Sequence, residues 1–286
     1  MSKSKPILWH IEISHYNEKA RWALDYKRIE HERRAPTPGA HMIVALGLTR
    51  GRCKTFPVLQ LDGEAIGDST AIIAELERRF PDPPLYPEDP EERRRALELE
   101  DFFDEELGAH ARLLAFHEAT KDPALVERFT VDLLPGRLAG IGPVRAGATR
   151  FFSTFVGLRY GVKSDDRAEL AKARILAAFD RLESELGQGD YLVGDGFTVA
   201  DLTAASLLYP LVQPPEAPSL PPAPQGLERF RSPLKERPGY RWVEAMFREH
   251  RKPARASDEV AGARPVGDLP VADDGLASRT ARNPAR

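Results

Sequence analysis

The alternation of apolar and polar positions between residues 7 and 80 predicts a small mixed α/β unit. Short apolar runs, typical of strands, alternate with segments whose apolar residues recur at helical spacing. They predict strand, helix, strand, helix, hairpin and helix in that order. The hairpin has the clearest signal, because "DG" at 62–63 separates the apolar runs Val58–Leu61 and Ala65–Ile66. A parallel unit joined to an antiparallel hairpin forms a mixed sheet with helices on its faces.

A proline-rich segment separates this unit from a second, helical part. "PDPPLYPEDP" at 81–90 has five prolines in ten residues, and proline neither donates a backbone hydrogen bond nor continues a helix. Beyond it the apolar spacing is helical almost throughout, with one long helix predicted at 91–118 and an irregular proline-rich stretch at 210–224. The predicted division has three parts: residues 1–83, residues 91–252 and a disordered tail at 253–286.

One helix start in the second part has a capping signal. Thr198 and Asp201, three positions apart, match a capping box in which each side chain bonds to the backbone amide of the other. The apolar character of 202–209 predicts that this helix is buried.

Composition excludes several classes of protein. The 286 residues are 42% hydrophobic and 30% charged with a net charge of −3, which is typical of a globular protein with no strong attraction to nucleic acid or anionic lipid. No apolar run approaches the ~20 residues that span a bilayer. The single cysteine, Cys53, excludes an internal disulfide. We therefore expect a cytoplasmic protein with neither nucleic acid nor membrane as a partner.

A cluster of polar side chains lies where the first strand, predicted at 7–13, gives way to a helix predicted at 17–27. The sequence "SHYN" places a hydroxyl at Ser14, a phenol at Tyr16 and an amide at Asn17. Each can donate to an anion, and a helix amino terminus favours negative charge. The alternative is that Ser14 caps the helix while Tyr16 packs in the core.

Three motifs in order give this chain a family resemblance. "ISHYNEKARWAL", "TFPVLQLDGEAIGDSTAII" and "YLVGDGFTVADLTAASLL" resemble the cytosolic glutathione transferase superfamily over about residues 1–250. The resemblance implies a thioredoxin-like amino-terminal domain followed by an all-helical domain. It also implies glutathione as co-substrate with no other cofactor, a small electrophile as second substrate, and a homodimer.

The resemblance assigns a glutathione site to the first domain. It implies a cis peptide bond before Pro57, so that the backbone of Val58 pairs with the ligand, with Phe56 beside it; an ordinary trans proline is the alternative. Ser69 would hold the γ-glutamyl carboxylate and Asp68 the ammonium, although either side chain could simply cap the next helix. Lys54 would meet the glycyl carboxylate, the alternative being a solvated loop.

The resemblance also assigns roles to residues 14–17 at the strand-to-helix junction, called the corner below. In the serine-type classes the motif is Ser-Pro-aromatic, and the serine hydroxyl donates to the glutathione thiolate, whose unperturbed pKa is about 8.5. Ser14 is then the donor and His15 packs in place of the proline. Tyr16 and Asn17 remain rival donors. If Ser14 is the donor, Tyr16 borders the electrophile.

The second domain would hold the electrophile. His110 and Tyr209 are candidates for that pocket, with core packing as the alternative for Tyr209. The helix that carries His110 has no compact His-x3-His or Glu-x2-His pair, so we predict no metal site. Cys53 precedes Pro57 and is not at the corner, which argues against thiol–disulfide exchange.

Two classes of function follow. The first is an enzyme that conjugates glutathione to small apolar electrophiles by thiol activation and proximity. The second is a non-catalytic relative that keeps the fold as a binding or interaction module. A transferase that uses another low-molecular-weight thiol is a third hypothesis.

Overall fold

The amino-terminal part is built on a four-stranded sheet in the order β2-β1-β3-β4. The computed structural model describes residues 5–36, 40–132, 134 and 136–252. The predicted tail at 253–286 lies outside the described residues. The elements of this part are β1 (Ile7–Trp9), α1 (His15–Tyr26), β2 (Glu32–Arg34), α2 (His41–Leu48), β3 (Val58–Leu61), β4 (Glu64–Gly67) and α3 (Ser69–Arg79).

The predicted mixed sheet is confirmed. β1 runs parallel to β2 and antiparallel to β3, and β3 and β4 form the hairpin. Both turn residues of that hairpin, Asp62 (φ 49°) and Gly63 (φ 85°), are left-handed. Left-handed residues at both positions give the turn whose twist matches antiparallel strands, which is why "DG" predicted it.

The second part is helical, as expected. Its α-helices are α4 (Pro90–Phe102), α5 (Ala109–Thr120), α6 (Pro123–Asp132), α7 (Gly136–Ala139), α8 (Gly142–Tyr160), α9 (Asp165–Leu186), α10 (Val199–Val212), α11 (Gln225–Arg231) and α12 (Pro238–His250). The Thr198–Asp201 capping box that starts α10 is present, and α10 is almost wholly buried.

Two expectations for the helices need correction. The long helix predicted at 91–118 is two α-helices joined by a π-helical turn at Phe103–Gly108. The irregular stretch predicted from residue 210 begins later, because α10 includes Pro210 and ends at Gln213, whose φ is 56°.

The two parts meet along α1. This helix packs against α10 and α3, and the fully buried Trp22 at its centre stacks on Phe197 and contacts Phe247 of α12. The indole of Trp22 donates to the carbonyl of His250 at 3.1 Å.

An ionic clamp lies at the end of α12. The Arg251 guanidinium donates to Glu18 Oε1 at 2.5 Å and to Asp25 Oδ2 at 2.7 Å, and all three side chains are buried. Both carboxylates belong to α1, so the clamp joins the end of the helical part to the amino-terminal part.

Candidate active site

The corner between β1 and α1 is shaped by side chains that bond to its backbone. Arg21 donates to the carbonyls of Ile11 (3.2 Å) and Glu12 (2.8 Å). The strand predicted at 7–13 therefore ends at Trp9, because these carbonyls are bonded to a side chain instead of a neighbouring strand.

Ser14 is the N-cap residue of α1, but its hydroxyl makes no capping bond. Instead Ser14 Oγ accepts a hydrogen bond from Asn17 Nδ2 at 2.7 Å. An accepting hydroxyl keeps its own proton, and Ser14 is only half-buried. Ser14 is therefore able to donate to an anion at the amino terminus of α1, where the helix dipole also favours negative charge.

Asn17 is fully buried, and its side chain makes three hydrogen bonds to other groups of the chain. Its Oδ1 accepts from the Ile11 amide at 3.0 Å, and its Nδ2 also donates to the Phe56 carbonyl at 3.2 Å. Both bonds of the Asn17 side-chain nitrogen are thus made to groups of this chain, and the hypothesis that the amide or backbone N–H of Asn17 faces the sulfur stays a prediction. Asn17 ties Ser14 to the loop before Pro57, and the helix begins at His15, two residues earlier than predicted.

Tyr16 and His15 both turn towards the helical part. The Tyr16 hydroxyl donates to the Asp104 carbonyl at 2.8 Å, and burial raises the pKa of Tyr16 to about 12. The hydroxyl proton is thus donated to a backbone carbonyl, while the roles of Tyr16 as a thiol donor or as a border of the electrophile stay predictions. His15 is buried against the Gly108 carbonyl at 3.0 Å, and burial together with the nearby Arg112 charge lowers the pKa of His15 to about 3. The packing role expected for His15 is confirmed.

The Phe56–Pro57 peptide bond is cis, as predicted. The expected backbone pairing of Val58 with a ligand stays a prediction. Val58 is in register with Trp9 on one side and Gly67 on the other, so strands of this chain already flank it. The loop before β3 is held by a bond from Asn17 Nδ2 to the Phe56 carbonyl at 3.2 Å.

Asp68 and Ser69 stand at the start of α3. Asp68 is exposed with φ 78°, and its Oδ1 accepts from the amides of Thr70 (3.0 Å) and Ala71 (3.2 Å). The capping alternative is therefore realised, and these two amides are not free for an anion. The cap uses one carboxylate oxygen, which leaves Oδ2 for a cation, while the buried Ser69 keeps its place at the first helical position.

The loop before Pro57 carries Cys53 and Lys54. Lys54 is exposed. The half-buried Cys53 thiol packs so closely on Gly67 that a Cβ there would overlap it. The thiol is thus held against β4 rather than at the corner.

The two candidates for the electrophile pocket differ. His110 on α5 is half-buried, and this burial lowers its pKa. Tyr209 is fully buried, burial raises its pKa, and its hydroxyl donates to the Ile13 carbonyl at 2.8 Å. Tyr209 does not line a pocket, because its ring lies in the core and its hydroxyl is bonded to the corner.

A buried ionic cluster, which sequence analysis did not predict, lies beside Ser69. Lys19 is fully buried and donates to Thr70 Oγ1 (2.8 Å) and Asp104 Oδ2 (2.5 Å), and it pairs with Glu100 at 2.8 Å. Burial raises the pKa of Glu100. Only the spacing of Lys19 within the apolar face of α1 could have indicated this cluster.

The described residues contain no group of three or more His, Cys, Asp or Glu side chains placed to hold a metal ion. Among the helices of the same residues, none is both long and apolar enough to cross a membrane.

Comparisons with known proteins agree with this architecture. The family model for the glutathione S-transferase N-terminal domain matches residues 8–84, and the model for the C-terminal domain matches residues 165–238. The chain is 27% identical over 211 residues, 73% of this chain and 80% of the relative, to a probable maleylacetoacetate isomerase of Caenorhabditis elegans. It is 31% identical over 106 residues, 35% of this chain and 47% of the relative, to the maleylacetoacetate isomerase of Dictyostelium discoideum.

A solved structure shows the same fold. The glutathione S-transferase of Methylobacterium radiotolerans, in complex with glutathione sulfonate, superposes with a TM-score of 0.52 at 23% identity, covering 83% of this chain and 93% of that one.

Proposed function

Because this chain belongs to the cytosolic glutathione transferase superfamily, we propose that it binds glutathione, holds it as the thiolate at Ser14, and conjugates that thiolate to a small apolar electrophile. The observation that carries this proposal is the state of Ser14. Its hydroxyl accepts a hydrogen bond from Asn17 and keeps its own proton. It lies at the amino terminus of α1 and makes no capping bond to the helix. A hydroxyl donor and a helix dipole together favour the anion of a thiol.

Two other side chains support glutathione as the thiol. Asp68 caps α3 through one oxygen and keeps the second for the γ-glutamyl ammonium. Ser69 and its amide suit the γ-glutamyl carboxylate at the start of α3. Lys54, on the exposed loop before Pro57, is assigned to the glycyl carboxylate, and His110 to the side of the electrophile.

Cytoplasmic location and a homodimer remain part of the proposal. The single cysteine supports a location in which disulfides are not required. Size-exclusion chromatography with light scattering measures the oligomeric state directly.

A second candidate is a glutathione-dependent isomerase. The likeness to a probable maleylacetoacetate isomerase over 211 residues favours it. Such a reaction uses the same activated thiolate: sulfur adds to a double bond of an unsaturated acid, the carbon–carbon bond rotates, and sulfur leaves again. Glutathione is then not consumed, whereas conjugation consumes one glutathione for each electrophile.

The experiment compares wild type, Ser14→Ala and Ser164→Ala. Ser164 is a matched control, because it is also an N-cap serine but lies at the start of α9. We expect calorimetry to show glutathione binding in all three proteins. Thiolate absorbance against pH should show a lowered thiol pKa in wild type and Ser164→Ala and a higher one in Ser14→Ala.

Turnover assays separate the candidates. Loss of glutathione with an aryl halide supports conjugation, whereas isomerisation of an unsaturated dicarboxylic acid with glutathione unchanged supports the second candidate. A wild-type protein that binds glutathione without lowering its thiol pKa contradicts both and leaves a binding module.

A further inference from the structure

Ser14 lies in a segment whose backbone is bonded at every peptide unit. The Ile11 amide bonds to Asn17, and the carbonyls of Ile11 and Glu12 accept from Arg21. These bonds all come from α1. The next carbonyl, that of Ile13, accepts from Tyr209, which lies 196 residues further along the chain.

The peptide unit between Ile13 and Ser14 is therefore held from both sides. Its carbonyl accepts from the Tyr209 hydroxyl at 2.8 Å, and its amide donates to the Ile11 carbonyl at 3.2 Å. A peptide unit is planar, so two bonds at opposite edges fix its orientation. That orientation sets the direction of the Ser14 side chain, which Asn17 then holds at its oxygen.

Tyr209 is suited to act as a fixed point. It is fully buried on α10, where the neighbouring residues Ser206, Leu207 and Leu208 are also fully buried. Its ring lies 6.4 Å from that of Phe247. A hydroxyl on such a rigid element holds its acceptor in one place. If the loop that carries Ile13 moved, the tightly packed α10 would stay where it is and the hydrogen bond would break.

We propose that Tyr209 is a positioning residue for Ser14, through which the helical part sets the place of the Ser14 hydroxyl relative to a bound thiol. The inference rests on the function proposed above and adds a residue that touches neither substrate. Tyr209 acts through the Ile13–Ser14 peptide unit, and the catalytic hydroxyl remains that of Ser14.

The test is Tyr209→Phe, with Tyr240→Phe as its matched control. Tyr240 is also buried and donates to a backbone carbonyl, that of Val212, at 2.8 Å, but it does not contact the corner. Each substitution removes one buried hydroxyl and keeps the ring. A purely structural role predicts the same behaviour from both variants.

We expect Tyr209→Phe to raise the pKa of the bound glutathione thiol. It should also lower kcat about tenfold or more, because small misplacements of a catalytic group have effects of this size. The KM for glutathione should stay within about twofold, because Asp68 and Ser69 are unchanged. Tyr240→Phe should retain the wild-type thiol pKa and kcat. Amide hydrogen exchange should quicken at residues 11–17 in Tyr209→Phe alone.

The outcomes separate this inference from the proposed function. A wild-type thiol pKa and wild-type exchange in Tyr209→Phe overturn the positioning role and leave the proposed function standing. Equal changes in both tyrosine variants also overturn it. A wild-type protein that does not lower the thiol pKa overturns the proposed function, and the inference falls with it.

Discussion

Replacing Arg251 with methionine should loosen the join between the two parts of the molecule. Methionine keeps an unbranched apolar stem beside Trp22 but removes the guanidinium that binds Glu18 and Asp25. Removing one partner of a buried ion pair costs about 3–5 kcal/mol when the remaining charge is left uncompensated. Here each carboxylate keeps one guanidinium, since Glu18 still binds Arg21 at 2.7 Å and Asp25 still binds Arg33 at 2.6 Å. We therefore expect a loss of about 2–3 kcal/mol in the free energy of unfolding.

The assay is urea unfolding followed by tryptophan fluorescence. Trp22 reports on the join directly, because its indole bonds to the carbonyl of His250, the residue before Arg251. Arg78→Met is the control: Arg78 pairs with Glu75 on the surface with a side chain that is 66% exposed, and the midpoint should not move. Adding Glu18→Gln to Arg251→Met should lower the stability further, because it removes the charge that still pairs with the buried Arg21. A loss below about 1 kcal/mol in Arg251→Met would show that the clamp is replaceable by solvent and refute the reasoning.

Four further changes test the site and its supports. Asp68→Asn keeps the cap of α3 but removes the charge, so calorimetry should show glutathione binding weakened about tenfold with unchanged stability, whereas unchanged binding removes the ammonium assignment. Gly108→Ala places a Cβ on the Tyr16 hydroxyl and should destabilise the protein by about 1–3 kcal/mol in urea, with partial recovery when Tyr16→Phe is added. Cys53→Ser should retain most turnover, and a complete loss in a folded protein would indicate thiol exchange. The folded protein lowers the pKa of His15 to about 3, so the neutral imidazole contributes fully to stability above pH 6.5. Below pH 6.5 that contribution falls by about 1.4 kcal/mol per pH unit. His15→Gln should therefore flatten the dependence of the free energy of unfolding on pH between about 6.5 and 4.

Local signals predicted the elements whose geometry depends on neighbouring residues. The "DG" turn and the Thr198–Asp201 box need only a few adjacent positions, and both are present. The roles of the polar residues at the corner depended on distant partners. The sequence does not show that the Asn17 amide donates to Ser14 and Phe56, or that the Tyr16 hydroxyl donates to Asp104.

Tyr209 is another residue whose role depends on a partner far away in the sequence. Its sequence context predicts a buried helix, which is correct, but no periodicity connects residue 209 with the carbonyl of residue 13. The predicted end of β1 was wrong for a related reason, because the carbonyls beyond the strand accept from the Arg21 side chain, which periodicity does not show.

The π-helical turn at Phe103–Gly108 has a consequence for how this chain should be aligned with others. A π turn accommodates one residue more than an α turn, so it is equivalent to a single-residue insertion in a continuous helix. Removing that residue would rotate everything beyond it by about 100° about the helix axis, so the Gly108 carbonyl that bonds to His15 would point elsewhere. The turn lies between the two matched family segments, 8–84 and 165–238. Chains with a contact like that between His15 and Gly108 should therefore share this extra residue, and an ungapped alignment with a chain that lacks it would pair residues on different faces of the helix.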